Sequence, residues 1–220
     1  MITVLFDLDG TLTDPKKGIL ACFNFALEHL GYERITDEQI GKYIGPPLRE
    51  GFWEALNTDD ESLVNKAVNL YRSRFSEKGI YENELYPHTN RILSELNKSG
   101  ISIMVATSKP KSFANKIVYH FGMDEYISAV YGSELDGKLS SKSELIRHIV
   151  AEKKLKLSNV IMVGDRKHDI LGAVENNIYA IGVLWGYGTK TELENSFADC
   201  ICQNDSELLE CINNYVSQVG

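Results

Sequence analysis

The sequence has too few basic residues for a protein that binds nucleic acid. Among its 220 residues, Lys and Arg total 23 and Asp and Glu total 31, which gives a formal net charge of −8 at pH 7. A nucleic-acid groove needs a basic stripe that neutralises phosphates. The composition therefore argues against nucleic acid as a partner. It remains compatible with a small phosphorylated metabolite held by a few local donors and a metal ion.

Cysteine is scarce, and its spacing follows no familiar pattern. The four cysteines, Cys22, Cys200, Cys202 and Cys211, include no C-x-x-C pair and no zinc-ligand spacing. In a chain of this length such a set favours free thiols over a disulfide framework. We therefore expect four free thiols.

Long apolar runs are also absent. No segment reaches the roughly 18 apolar residues of a membrane span, and Asp7 interrupts the first apolar run, which lacks the basic start of a secretory leader. We therefore expect a cytoplasmic protein with no membrane partner. The length suits one large domain or a core with a smaller appendage, and we expect a monomer or a weak dimer.

Short apolar runs, each followed by turn residues and a helical pattern, recur along the chain. They are nearly continuous in hydrophobicity, as expected of strands that are covered on both faces. The runs are ITVLF (2–6), ISIMVA (101–106), ISAVYG (127–132), NVIMVG (159–164) and IYAIGVL (178–184). Their alternation with helices predicts an α/β fold with a doubly wound, Rossmann-like parallel sheet.

One region lacks strand patterns and reads as helical throughout. Residues 15–83 leave the sheet after the first strand and return before the second. We predict an inserted all-helical cap domain over 15–83, and a discontinuous α/β core formed by 1–14 and 84–220. Within the insert, the loop 42–52 carries Arg49 and Lys42, either of which could meet an anionic substrate group.

Polar residues collect where the predicted strands end, which is where open parallel sheets bind ligands. The residues at these ends are Asp7, Asp9, Thr107, Ser108, Lys142 at a helix start, Asp165 and Asp169. Two bare carboxylates such as Asp7 and Asp9, ~4 Å apart, would repel by about 4 kcal/mol at an intermediate dielectric. Either a proton or a cation must relieve that repulsion.

The ligand types in this cluster predict its chemistry. Carboxylate oxygens without His or Cys suit Mg²⁺ and disfavour zinc. Asp7 could attack phosphorus as a nucleophile, while Asp9 exchanges protons with the leaving group and water. Thr107 and Lys142 would stabilise the transferring group, and Gly10 permits a tight turn that brings backbone amides near the phosphate.

These residues resemble the four motifs of the haloacid dehalogenase superfamily of phosphohydrolases. DLDGTLTD is similar to D-x-D-x-T, VATS to the second motif, Lys142 to the motif lysine, and VGDRKHD to G-D-x-x-x-D. The resemblance implies that Asp7 is the nucleophile and a metal ligand, and that Asp9 is the acid/base and binds metal through its carbonyl. It further implies metal binding by Asp165 with Asp169 in support, and binding of the phosphoryl group by Thr107 and Lys142. We also expect Gly10, Thr11 and Ser108 to contribute to substrate binding.

The resemblance leaves several functions open. An acidic residue at the position of Asp9 favours transfer to water or to a sugar hydroxyl, and the pattern is similar to the phosphoglycolate-phosphatase-like branch. We therefore expect a Mg²⁺-dependent phosphatase acting on a phosphoglycolate-, nucleotide- or sugar-phosphate-like monoester. A sugar phosphomutase and a non-catalytic phosphate- or protein-binding module are the alternatives. Lys138 lies close enough in sequence to compete with Lys142 for the phosphate.

Overall fold

The centre of the fold is a parallel sheet of six strands, seen in a computed structural model that describes residues 1–219. All strands in chain order are β1 (Thr3–Phe6), β2 (Thr13–Asp14), β3 (Glu84–Leu85), β4 (Ser102–Pro110), β5 (Ile127–Ser133), β6 (Val160–Gly164), β7 (Tyr179–Val183) and β8 (Cys200–Cys202). The large sheet has the order β5-β4-β1-β6-β7-β8, and β2 pairs with β3 separately. From β1 the strand order runs to one side through β4 and β5 and to the other side through β6, β7 and β8. This arrangement confirms the predicted doubly wound α/β fold.

Nine α-helices lie between or after these strands in the described residues. They are α1 (Lys16–His29), α2 (Leu48–Leu56), α3 (Glu61–Arg74), α4 (Thr89–Lys98), α5 (Lys111–His120), α6 (Lys142–Lys153), α7 (Lys167–Glu175), α8 (Lys190–Asn195) and α9 (Asp205–Val219). Within residues 1–219, every helix is too short or too polar to cross a bilayer.

Strand β1 shows why its apolar run is continuous. All four of its residues are buried. Val4 and Phe6 belong to one apolar cluster and Leu5 to another, because successive side chains point to opposite faces of a sheet. Helices α6 and α7 contribute to the cluster around Leu5, and α4, α5 and α9 to the other. Burial of both faces holds β1 rigidly, and its carboxyl end, where Asp7 follows, is fixed with it.

The segment between β2 and β3 is helical, as its sequence pattern predicts. Its helices α1, α2 and α3 pack through aromatic rings, with Phe23 stacked on Phe52 at a centroid distance of 4.4 Å and edge-on to Tyr71 at 5.5 Å. Antiparallel pairing of Thr13 with Leu85 joins the two points where the chain leaves and rejoins the sheet. The domain boundaries of 1–14 with 84–220 and of 15–83 stay a prediction.

One strand end differs from the expectation, and one strand was not predicted. Strand β4 continues through Pro110, so Thr107 and Ser108 lie within the strand and not beyond it. Strand β8 has only three residues, and its short run gave no periodic signal.

The expectation of four free thiols is wrong for two of them. Cys200 on β8 and Cys211 on α9 form a disulfide with a Cα–Cα distance of 6.9 Å, whereas Cys22 and Cys202 are free. The spacing of cysteines along the chain could not indicate this pair. It depends on how α9 packs across β8.

Candidate active site

Lys142 joins two aspartates that come from different strand ends. Its Nζ lies 2.9 Å from Asp7 Oδ1 and 2.7 Å from Asp169 Oδ1, and it donates to the carbonyl of Ala106 at 2.8 Å. Burial alone would lower the pKa of Lys142, but the two carboxylates outweigh it and raise that pKa. Lys142 is therefore a fixed cation between Asp7 and Asp169, whereas Lys138 is exposed and pairs with Asp136.

Asp165 is completely buried and, within the described residues 1–219, has no cationic partner of its own. One carboxylate oxygen accepts from the backbone N–H of Tyr187 at 2.7 Å, and the other from the hydroxyl of Thr11 at 3.4 Å. Its pKa is raised, chiefly because burial disfavours the charge and then because Asp169 and Asp7 lie nearby. The site thus concentrates negative charge that the protein only partly offsets.

Two glycines make room for the Asp165 carboxylate. A Cβ at Gly10, where φ is +87°, would lie 2.3 Å from Asp165 Oδ2, and a Cβ at Gly186 would lie equally close. Any other residue at either position would displace this carboxylate. The Gly10 of the D-x-D-G-T stretch therefore shapes the acidic cluster as well as the turn.

The acidic residues fit a divalent cation. Oxygen atoms from Asp7, Asp165 and Asp169 all lie within 4.8 Å of one another, and all three residues are buried. If ionised, these carboxylates together with Asp9 carry four negative charges against two from Lys142 and Lys109. An all-oxygen donor set with two uncompensated charges suits Mg²⁺.

Asp9 is set apart from that group by Lys109. The Lys109 Nζ lies 2.9 Å from Asp9 Oδ2 and also sits 4.4 Å from the centre of the Phe75 ring. Burial raises the pKa of Asp9, although Lys109 opposes this. Asp9 Oδ1 is buried and has no hydrogen-bond partner among residues 1–219. One oxygen of Asp9 is therefore held by Lys109, while the other has no protein partner among residues 1–219.

The predicted phosphate-site hydroxyls flank the acidic cluster. Thr107 is buried on β4, and its Oγ1 accepts from the backbone N–H of Lys109 at 3.3 Å. Ser108 donates to the carbonyl of Ser140 at 3.2 Å. Thr107, Ser108, Asp7 and Asp9 all face one cavity, whereas Thr11 points to Asp165 instead.

That cavity has a volume of about 320 Å³ and lies between the sheet edge and the helical insert. Aromatic and apolar side chains from both sides form about half of its wall, and polar groups from the sheet edge and from α3 form the rest. These residues include Phe23, Tyr43, Tyr71, Phe75, Phe113, Asn65, Asn69 and Arg72. A concave wall that combines aromatic side chains with several polar and charged groups can bind a small polar molecule.

The two cations predicted from loop 42–52 differ in position. Arg49 lines the cavity but already pairs with Glu61 at 2.7 Å and contacts Asn65. Lys42 pairs with Glu54 and does not line the cavity. Arg72, which sequence analysis did not select, lines the cavity with no carboxylate partner, and its buried Nε lacks a hydrogen-bond partner in residues 1–219.

Three other contributors were also missed. Lys109 stands beside the selected Thr107 and Ser108, so its position at a strand end was an available signal. Tyr187 acts through its backbone, and Arg166 donates from its guanidinium to the carbonyls of Gly41 and Ile44 in the insert. No sequence pattern indicates contacts of these two kinds.

Comparisons with known proteins agree with this architecture. The model of the haloacid dehalogenase-like hydrolase family matches residues 4–183. A 5′-nucleotidase of Pseudomonas aeruginosa is 41% identical over 212 residues, covering 96% of each chain. A phosphoglycolate phosphatase of Vibrio parahaemolyticus is 28% identical over 216 residues, covering 95% of each. The crystal structure of a "predicted phosphatase" from Clostridium acetobutylicum matches with a TM-score of 0.93 at 39% identity, covering 97% of this chain and 99% of that one.

Proposed function

The chain belongs to the haloacid dehalogenase-like hydrolase family, and we propose that it is a Mg²⁺-dependent phosphatase that forms an aspartyl-phosphate on Asp7. The supporting observation is the convergence of Asp7, Asp165 and Asp169 beside Lys142, in a cluster whose member Asp7 lines the cavity. These three aspartates would hold the ion. The chemistry that Mg²⁺ supplies when bound is positive charge that offsets the carboxylates and polarises a phosphoryl oxygen.

Asp7 and Asp9 divide the reaction between them. An Asp7 carboxylate oxygen forms a bond to phosphorus while the ester P–O bond breaks, and the leaving oxygen takes a proton from Asp9. Asp9 then accepts a proton from water, whose oxygen attacks phosphorus and releases Asp7 and inorganic phosphate. The raised pKa of Asp9 favours the protonated form that the first step requires.

Lys142 and the hydroxyl groups hold the reacting atoms. Lys142 fixes the carboxylate of Asp7 through its 2.9 Å contact and adds positive charge where the transferring group collects negative charge. Thr107 and Ser108 would donate hydrogen bonds to phosphoryl oxygens. The helical insert covers the cavity, which limits access of water.

We infer that the substrate is a nucleoside monophosphate. The aromatic wall of the cavity suits a planar base, and Arg72, Asn65 and Asn69 offer donors for its polar edge. The similarity to a 5′-nucleotidase supports the same substrate class. Arg49, which the sequence analysis selected for substrate binding, lines the same cavity.

The nucleophile is tested by Asp7→Asn. Turnover of p-nitrophenyl phosphate with Mg²⁺ should fall by on the order of 10⁴-fold or more, because an amide cannot attack phosphorus. Asp59→Asn, at an exposed position in the insert, is the control and should remain active. Activity of Asp7→Asn close to that of the control would refute the assignment. A separate assay for inorganic phosphate released from sugar phosphates distinguishes hydrolysis from isomerisation.

The substrate class is tested by Arg72→Met. The KM for nucleoside monophosphates should rise about 10-fold or more, because hydrogen bonds from a charged donor are lost, while p-nitrophenyl phosphate turnover stays near its original rate. Lys66→Met, exposed on the same helix, is the matched control. An unchanged KM, or a clear preference of the unaltered protein for phosphoglycolate, would contradict the nucleotide assignment.

A further inference from the structure

Three cysteine sulfurs meet at the edge of the sheet, away from the catalytic cavity. Cys200 and Cys202 are two residues apart on β8 and face the same side, and Cys211 on α9 packs against them. All three sulfurs lie within 4.8 Å of one another. In this structure Cys200 and Cys211 are disulfide-bonded, and Cys202 keeps a free thiol.

This cysteine cluster is separate from the acidic cluster. Strands β6 and β7 lie between β8 and β1 in the sheet. Three strand spacings amount to about 14 Å. A property of the cysteine cluster can therefore be measured without altering the residues around Asp7.

The spacing of the sulfurs fits a tetrahedral thiolate site. With a Zn–S distance of about 2.3 Å, two thiolates on one tetrahedral ion stand roughly 3.8 Å apart. The Cys200 and Cys202 sulfurs are already 3.7 Å apart. Reduction of the disulfide would let the Cys211 sulfur move from bonding distance to the same separation, with small side-chain rotations.

The charged groups around the three cysteines favour the binding of a cation. A cavity of about 390 Å³ opens onto the sulfurs, and Asp199, Glu207 and Glu210 line it. These acidic side chains attract cations and repel anionic thiols such as glutathione.

We propose that, once the disulfide is reduced, Cys200, Cys202 and Cys211 bind one thiophilic metal ion such as Zn²⁺ through three thiolates. A phosphine and water, or a dithiol, supplies the two electrons and two protons that convert the S–S bond into two thiols. The ion then replaces the three thiol protons, and a water molecule completes the tetrahedron. Soft thiolate ligands select Zn²⁺ or Cu⁺ over Mg²⁺, so this site and the acidic cluster take different ions.

The test measures Zn²⁺ bound to the intact protein. The chain is reduced with a phosphine, desalted without oxygen and dialysed against Zn²⁺ in excess Mg²⁺. It should bind one more equivalent of Zn²⁺ than Cys202→Ser or Cys200→Ser. Cys22→Ser, which alters a buried thiol far along the chain, should bind as the unaltered protein does. Binding of Cd²⁺ should add a thiolate-to-metal absorption band that both cluster variants lose.

Two results would overturn the proposal. One is an equal Zn²⁺ content in the reduced protein and both cluster variants, with circular dichroism showing that all are folded. The other is absence of the Cd²⁺ band from the reduced protein, a readout that needs no variant. Because Cys202→Ser leaves the acidic cluster intact, its phosphatase turnover should be retained.

Discussion

Lys142 decides whether the carboxylates of Asp7 and Asp169 can be buried together. Its ammonium group is the one cation within ion-pair distance of either among residues 1–219. A buried charge that loses its partner destabilises a protein far more than a broken surface pair does. We therefore expect Lys142 to serve both stability and chemistry through the same two contacts.

Replacement of Lys142 should reveal both roles. Lys142→Met leaves two buried carboxylates uncompensated, so without added metal the free energy of unfolding in urea should fall by about 3–5 kcal/mol. With Mg²⁺, turnover of p-nitrophenyl phosphate should fall by about 10²–10³-fold.

Lys138→Met is the matched control, because Lys138 is exposed and pairs with Asp136, away from the acidic cluster. It should leave unfolding and turnover unchanged. If Lys138→Met lost activity and Lys142→Met stayed active, Lys138 and not Lys142 would be the lysine that binds phosphate.

The turn between β6 and α7 connects the acidic cluster to the helical insert. Asp165 lies at its start, and the next residue, Arg166, donates to the carbonyls of Gly41 and Ile44 and pairs with Glu192 at 2.9 Å. Gly45 has a φ of +104°, and a Cβ there would lie 2.8 Å from Arg166 Cγ. The insert is thus held closed by an element that also carries a candidate metal ligand.

Arg166→Gln should loosen that contact. Because hydrogen bonds from a charged donor contribute about 1.5–3 kcal/mol each, amide hydrogen exchange in residues 40–45 should become about 10-fold faster or more. Lys167→Gln, at the exposed neighbouring position, is the control for the change in charge. Equal exchange rates in the two variants would show that Arg166 does not hold the insert.

The site as a whole makes folding depend on both pH and metal. Burial, then the neighbouring Asp7, raises the pKa of Asp169 to about 6, although Lys142 opposes the shift. The folded chain therefore binds more protons than the unfolded chain between about pH 4 and 6, and this contribution to stability is lost as pH rises through that range. A divalent cation can replace the missing protons.

Added Mg²⁺ should consequently raise the melting temperature more at pH 8 than at pH 5. For a chain of this size, each kcal/mol of stabilisation corresponds to about 2–4 °C, so the difference should be several degrees. Thermal melts with Mg²⁺ and with a chelator, at matched ionic strength, give the comparison. An equal or smaller effect at pH 8 would mean that the acidic cluster is not the cation site.

The sequence alone determined the alternation of strands and helices, the place of the helical insert and most of the polar residues at the sheet edge. Apolar runs and the D-x-D-G-T stretch are local patterns, which involve residues close together in the sequence and can be recognised without the fold. The roles of Tyr187, Arg166 and Arg72, and the Cys200–Cys211 disulfide, were decided only by tertiary structure. Each depends on which elements become neighbours: Tyr187 meets Asp165 across 22 residues, and Arg166 meets Ile44 across 122. Such pairings follow from strand order and helix packing, which bring residues distant in sequence into contact. They therefore depend on the whole fold and cannot be recognised in any short segment.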